Sequence, residues 1–528
     1  MVPACKIEVF MLPEQFFSTL RQRIRREWVV CFFSALLLGL IAHFYKLVNW
    51  LPNWDSLVFR YDAQDMTHFG RYFLSLVCGL TSYYELPWLN GLLYLLYVAL
   101  SAVCVYRMFS LRSTATAILT GGLMAVFPTV TSTLPYSYVA DGYGIALLCS
   151  CMAAMFLYEG GRKKQLAAIL LMIFSLGIYQ AYITVTILLL LLALAHGLLF
   201  EQDSAGDSLR KAMGYLVSGI LAGIGYFVLL KLILLVRGDS INRTGALELS
   251  AYLANIPHGI KTSVLRFFSF FFDLNEGVTF WFAFNLLMFA GLLFLIGYAA
   301  SRAGVFRSAG KTALLLLYLV AAPFGAAAFC FLPNSTCHNL MTMGFYVFYL
   351  FFLLFYERLN DGTSEKFIFF KNWGILLLTA ALIFDCIVIA NVAYHKLQMA
   401  YNSSYGTAIR MADRIEQTDG ALECSKIAVM GILPGSETYS SQISLEITGV
   451  TDGSLLRPDD YVVNQSVITS VLNDYCSFDF TFATVEERRK LAVDPRVEQM
   501  PCWPENGSVA VVDSYVILKL SEGVGLYG

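Results

Sequence analysis

The sequence predicts an α-helical polytopic membrane protein of about eleven transmembrane helices with a small C-terminal α/β domain outside the membrane. Three observations lead there. Hydrophobic residues make up 58% of the 528-residue chain and charged residues only 14%, whereas soluble domains carry about a quarter charged. Roughly the first three quarters is a succession of apolar stretches of bilayer-spanning length. The remainder turns polar and carries short runs of β-forming residues. A net charge of -2 gives no reason to expect nucleic acid as a partner.

Apolar runs place spans near 28–48, 88–107, 113–130, 138–158, 165–179, 181–200, 212–236, 279–299, 311–331, 341–356 and 373–394. The fifth and sixth form one long run, which Gly177-Ile178-Tyr179-Gln180 divides with a polar break. The first run is not read as a cleaved signal peptide, being long for that purpose and followed by no small-residue cleavage site. Cytoplasmic loops collect Lys and Arg. Arg21, Arg23, Arg25 and Arg26 precede the first span; Arg107 and Arg112, Arg162, Lys163 and Lys164, Arg210 and Lys211, Arg302, Arg307 and Lys311, then Arg358, Lys366 and Lys371 occupy alternate turns. All share one side if 165–179 and 181–200 are separate helices. The N-terminal segment 1–27 is then cytoplasmic, 28–394 is the membrane domain and 395–528 lies outside.

The outward loops are 49–87, a turn at 131–137, the break at Tyr179, 237–278 and 332–340. Loops 49–87 and 237–278 mix charge with aromatic stretches, Tyr72 to Val77 and Leu265 to Phe272, that fit helices lying at the interface. In the tail, Lys426 to Ile432 reads as a buried strand, Ser508 to Val512 and Tyr515 to Leu520 as a strand pair around Asp513-Ser514, and Thr407–Ile415 as a helix. Cys424, Cys476 and Cys502 lie there, and one disulfide among them fits an oxidising compartment, with no pairing readable. Cys31, Cys78, Cys104, Cys149, Cys151 and Cys386 sit in apolar runs as small hydrophobes, with no zinc-ligand spacing. No metal and no cofactor is expected. No internal repeat is visible, which argues against a secondary transporter.

The outer loops concentrate the chemistry. Asp55 follows the first span, with Asp62, Asp65, His68 and Arg71 in the same loop. A carboxylate there can act as general base toward a hydroxyl, and an arginine can hold a phosphate by paired hydrogen bonds. Against this, Asp55 could simply open a short helix, Asp62 and Asp65 could be solvated, and Arg71 could anchor at headgroup level. Asp141 lies just inside the fourth span, where it faces either a cavity or a hydrogen-bonding partner. Tyr179 and Gln180 could line the same outer cavity or satisfy the broken helix backbone. Lys231 could meet a lipid phosphate or snorkel; His258, Lys261 and Arg266 form a basic interfacial set; His338 is a lone histidine in an outer loop. Asp385 is expected to be paired within the bundle, and Asp459-Asp460 to form a turn.

These features together resemble the GT-C superfamily of polyprenyl-phosphate-dependent glycosyltransferases and, more narrowly, the bacterial O-antigen type II glucosyltransferase (Gtr) family. The likeness is carried by the acidic loop from Asp55 to Gly70-Arg71, the Tyr138 to Asp141 segment, the Ser175-Leu176-Gly177-Ile178-Tyr179-Gln180-Ala181 segment, and the tail sequence Met500 to Pro504 followed by a valine-rich strand. Where the family often has two adjacent aspartates, this chain has Asp55-Ser56. Where the family tends to carry an arginine near the tenth span, it has Cys337-His338-Asn339, so His338 substitutes or the phosphate contact lies elsewhere.

The resemblance implies a GT-C-like enzyme of the bacterial cytoplasmic (inner) membrane, working between a polyprenyl-phosphate-linked sugar donor and a cell-envelope glycan acceptor, with a separate donor synthase and flippase as working partners. A single sugar, glucose by family, would pass from the polyprenyl phosphate (undecaprenyl phosphate in bacteria) to a glycan hydroxyl with inversion and without a metal. Asp55 would be the base; Arg71, Lys231, His338 and Arg266 would bind phosphate; Asp141, Tyr179, Gln180, Asp62 and Asp65 would bind substrate. The alternative class is a transporter or flippase of lipid-linked glycans, which would need polar residues along a path through several helices. A non-catalytic assembly subunit would tolerate loss of the outer carboxylates.

Overall fold

A computed structural model describes residues 13–52, 54–59, 61–238, 249–272, 280–331, 337–360, 363–433 and 461–522. Apolar residues with good helix propensity dominate the spans, and inside a bilayer a helix satisfies every backbone group from within. The helices are α1 (Pro13–Arg23), α2 (Arg26–Val48), α3 (Trp54–Val58), α4 (Leu74–Tyr84), α5 (Pro87–Met108), α6 (Thr114–Val126), α7 (Pro128–Thr133), α8 (Ser137–Glu159), α9 (Arg162–Ile178), α10 (Ile183–Phe200) and α11 (Ala205–Arg237). They continue with α12 (Leu249–Phe272), α13 (Trp281–Arg302), α14 (Ala309–Ala326), α15 (Tyr346–Arg358), α16 (Glu365–Glu416), α17 (Tyr461–Cys476), α18 (Val485–Ala492) and α19 (Pro495–Glu498). Among the described residues nine helices are long and apolar enough to cross a membrane, so this is a multi-pass membrane architecture.

The other two expected spans, 165–179 and 341–356, correspond to α9 and α15, which are shorter at 17 and 13 residues. The break at Gly177-Gln180 is present: α9 ends at Ile178 and α10 begins at Ile183 after a 3-10 turn. Basic turns gather at one end of the bundle through local pairs, Arg107 and Lys164 with Glu159 at 3.0 and 2.7 Å, Lys211 with Asp203 at 2.6 Å, and Lys371 with the Phe355 carbonyl at 2.6 Å.

The 113–130 span is present as one membrane-length stretch, Thr114–Thr133, which Pro128 divides into α6 and α7. One span reading needs correction. The last span, read as 373–394 with a separate helix at Thr407–Ile415, is one 52-residue helix, α16. Polarity rises after Tyr394, but no proline occurs between Glu365 and Glu416, and a polar sequence continues a helix outside lipid as well as an apolar one continues it inside. At 1.5 Å per residue α16 is about 78 Å long, more than twice a hydrocarbon core of about 30 Å. Among the described residues Asp385 on α16 meets no cation; it accepts the backbone N–H of Phe280 at 3.1 Å, at the start of α13, where a helix favours a negative group.

The aromatic loop stretches are helical as expected of interfacial segments. On α4, Leu74 and Cys78 are buried while Leu76 and Leu80 are exposed; on α12, Phe267, Phe270 and Phe271 are buried while Leu265 and Phe268 are exposed.

The tail forms a four-stranded sheet of β1 (Lys426–Met430), β2 (Thr481–Phe482), β3 (Val509–Val512) and β4 (Tyr515–Lys519), in the order β2-β1-β4-β3. β1 runs parallel to both neighbours, and β3 pairs antiparallel with β4 through a two-residue turn at Asp513-Ser514. Both turn residues take left-handed φ, +48° and +67°, as a tight hairpin of this twist demands. The expected disulfide is not formed. Cys424 Sγ donates to the Gly420 carbonyl (3.4 Å) and Cys502 Sγ to Glu522 (3.6 Å), while Cys476 packs against the same apolar cluster as Cys424. Asp459-Asp460 lies outside the described residues.

The tail also touches the first loop. Leu57 and Val58 of α3 pack with Ala408 of α16 and with Val467 and Val471 of α17. Trp50 stacks on Tyr475 at 5.4 Å and meets Tyr401 edge-on. The short helix that carries Asp55 is therefore clamped between the top of α2 and the tail.

Candidate active site

The first loop is tied down so that Arg71 has one place to go. Met66 and Arg71 form an antiparallel bridge, with Gly70 in the left-handed region (φ +78°) to turn the chain between them. The 175–181 segment holds this turn from below. Gly177 lets Tyr72 and Phe73 pack directly on α9, where a Cβ would come within 2.6 Å of the Phe73 ring, and its carbonyl accepts the Phe73 N–H at 2.8 Å. Ser175 hydrogen-bonds Ser150 and the Ala146 carbonyl, fixing α9 on α8. Gln180 donates to the Phe69 carbonyl (3.0 Å) and to Tyr226 (3.1 Å), and Tyr226 donates to the Gly70 carbonyl (3.1 Å).

A Cβ on Gly70 would lie 2.3 Å from the Tyr226 hydroxyl and 2.9 Å from Gln180 Nε2. Gly70→Ala is therefore expected to lower stability by about 1–3 kcal/mol through backbone strain and to reduce activity further by displacing Arg71. Thermal unfolding alongside turnover checks this; a variant equal to wild type in both would show that the turn does not aim Arg71.

Arg71 lands on a tyrosine platform. Tyr143 and Tyr179 stack at 4.0 Å with rings 13° apart, and the guanidinium carbon lies 5.1 Å from the Tyr179 ring and 5.9 Å from that of Tyr143. Such cation–π contacts contribute about 0.5–2 kcal/mol each. Arg71 Nη1 donates to the Tyr143 hydroxyl at 2.9 Å and contacts Met66 Sδ at 3.6 Å. Nε and Nη2 make no hydrogen bond among the described residues. The hydroxyl of buried Tyr179 likewise has no partner among them. Asp55, half-buried on α3, acts electrostatically on Arg71, Tyr138 and Tyr143. Phe59, four residues on, stacks on Tyr138 and so ties the chain after the Asp55 helix to α8. A carboxylate thus shares a field with a guanidinium that keeps unused donors among the described residues.

The remaining expected site residues divide. Asp141 is buried and both oxygens are engaged, Oδ2 by Thr81 Oγ1 at 2.5 Å and Oδ1 by the Gly142 N–H at 3.0 Å, so it straps α4 to α8 instead of presenting a free carboxylate. Gln180 has committed its amide hydrogens to the loop. Asp62 accepts from the Gln64 backbone (2.7 Å) as a turn residue. Asp65 accepts from Thr67 Oγ1 (2.6 Å) and pairs with Arg237 at the end of α11; the Thr67 hydrogen bond leads in holding its carboxyl below the ordinary range. Lys231 is exposed, outside the α11 face that turns Tyr226, Leu230 and Leu234 inward, as a snorkelling lysine would be. His258 and Lys261 are exposed, and His258 meets only its helix neighbour Thr262 among the contacts seen.

A second arginine reaches the neighbourhood. Arg266 of α12 donates from Nε to Cys337 Sγ at 3.0 Å and from Nη2 to Asn339, so it fills the segment where His338 was the sequence candidate. His338 itself is exposed. Cys337, which Arg266 contacts, acts electrostatically on Tyr179, as Arg71 does. Among the described residues no three His, Cys, Asp or Glu side chains cluster so as to hold a metal ion.

Sequence reasoning passed over several participants. Tyr143 and Tyr226 carry no local signal beyond being aromatic, and Arg237 was the last cation of its span. Lys46 is buried and its Nζ donates no hydrogen bond among the described residues, and Glu85, also buried, accepts from Ser137 through one oxygen. The signal for Lys46 was present, a lone cation within the first apolar run.

The model of the glucosyl transferase GtrII family matches residues 44–355, more than half of the chain. The chain belongs to the GtrII glucosyl transferase family. A search of curated proteins finds no match. The GtrII match begins near the C-terminal end of α2 and covers Asp55, Arg71, the 175–181 segment, Arg266 and Cys337; the sheet-bearing tail lies beyond it. GtrII membership makes the protein a membrane glycosyltransferase, acting between a sugar donor and a glycan acceptor.

Proposed function

We propose that this GtrII-family protein transfers one glucose from a polyprenyl phosphate to a hydroxyl of a cell-envelope glycan at the outer face of the bacterial inner membrane. The observation that carries the reading is Arg71 on its tyrosine platform: a guanidinium with Nε and Nη2 unused among the described residues, on which the Asp55 carboxylate acts electrostatically. A bound sugar phosphate would sit between them. Asp55 takes the proton of the acceptor hydroxyl as its oxygen attacks the anomeric carbon. The bond from that carbon to the phosphate oxygen breaks, its electron pair goes to the phosphate, and Arg71 Nε and Nη2 receive the charge. Single displacement inverts the anomeric centre. A monophosphate leaving group with arginine donors makes a metal unnecessary.

Tyr143 and Tyr179 offer flat rings and hydroxyls suited to a sugar, and Arg266 is the second phosphate ligand. The basic turns face the cytoplasm, giving an inward N-terminus, about eleven crossings if α9 and α15 also span, and an outward domain at 395–528 that helps receive the acceptor. A donor synthase and a flippase would supply the lipid-linked sugar. The test is purified protein in detergent, given polyprenyl-phosphate glucose, a glycan acceptor extract and EDTA. Acceptor-dependent release of polyprenyl phosphate is expected. No release, together with movement of labelled donor across vesicles, would replace the reading with transport.

A further inference from the structure

Beside the platform two thiols meet. Cys330 is buried in the 3-10 turn Ala328–Phe331 that follows α14, and half-buried Cys337 precedes the 3-10 turn Asn339–Met341. Both are free thiols here; each acts on the other, and the one guanidinium, Arg266, acts on both. Both are held by α12: Asn255 Nδ2 donates to the Cys330 carbonyl at 3.2 Å, Ser263 Oγ to the Ala327 carbonyl at 3.2 Å, and Arg266 Nε to Cys337 Sγ at 3.0 Å. The contact brings together the outer end of one helix and a loop six residues on, and neither cysteine is used in the chemistry above.

We propose that Cys330 and Cys337 are a disulfide-forming pair, oxidised in the native membrane, which locks the Arg266–Asn339 contact beside the sugar-phosphate site. The inference rests on the outward orientation in the proposed function, because structural disulfides persist on oxidising faces. The oxidant is a disulfide, of a protein or a small molecule. One thiolate of the pair attacks it and releases one thiol; the other then attacks the sulfur so bonded and releases the second. Two hydrogens pass to the oxidant, whose disulfide becomes two thiols, and one S–S bond replaces two S–H bonds. Bonded sulfur is a poorer acceptor than a thiolate, so oxidation would also release Arg266 Nε toward a phosphate.

The test uses the full chain in membranes, with thiols blocked by N-ethylmaleimide before purification. The tryptic fragment from Thr312 to Arg358 contains these two cysteines and no others. It is expected to carry no maleimide and to accept two labels only after reduction. Two labels before reduction would overturn the inference. Labelling Cys502 from outside intact cells with an impermeant maleimide separates the causes. Free thiols with Cys502 reachable overturn the disulfide alone; free thiols with Cys502 reachable only after permeabilisation overturn the orientation and the disulfide together.

Discussion

Asp55→Ala is expected to lower sugar transfer by about a thousandfold, within the 10²–10⁴ range of general base catalysis, while leaving the protein folded and inserted. Asp55 lies on a five-residue helix whose packing comes from Leu57 and Val58 against Ala408, Val467 and Val471, so the carboxylate can be removed without opening that contact. Donor affinity should change little, because in this geometry the phosphate is held from the Arg71 side. Asp55→Asn keeps the shape and removes the basicity, and it should be as inactive as the alanine variant. Initial rates of labelled-sugar transfer by purified variants, with donor binding measured in parallel, check this. Turnover within threefold of wild type for either variant would remove Asp55 from the role of base.

Arg71→Ala should cost about 10²–10³ in turnover, the range seen when one donor is removed from developing oxyanion charge, and should weaken donor binding as well. Arg71→Lys separates charge from shape. Lysine keeps the positive charge but loses the planar fork and the flat stacking on Tyr143 and Tyr179, so it should recover only part of the activity. Full recovery with lysine would mean that the site needs a cation there and not the paired donors. A strong rise in KM with unchanged kcat would mean that Arg71 binds the donor equally in ground and transition states.

The fold was legible where one physical cue governed. Twenty-residue apolar runs marked the membrane helices, and alternate basic turns required the division at Tyr179, which the structure contains. The cue failed where a helix leaves lipid: the sequence after Tyr394 turns polar, which reads as a boundary, but nothing there stops backbone hydrogen bonding, and α16 continues to Glu416. Within the site, Asp55 and Arg71 stood out because charge near a bilayer is costly. Their mutual placement was not legible, since it depends on Gly177, Gln180 and Tyr226 gripping a loop more than a hundred residues earlier. Asp141 shows the reverse case. An aspartate inside a span reads as functional, but Thr81, sixty residues away in sequence, satisfies it. Gln180 belongs to a recognisable segment, yet its amide serves loop geometry, which residue type alone does not distinguish from sugar binding.

The anomeric configuration of the product tests the central chemistry most directly. Purified protein is given polyprenyl-phosphate glucose of known anomeric form and a glycan acceptor, and the new linkage is assigned by nuclear magnetic resonance. Inversion, with no product from Asp55→Asn, is expected of a single displacement between Asp55 and the Arg71-bound phosphate. Retention would contradict it, because that outcome requires a second displacement and assigns Asp55 no role as base toward the acceptor.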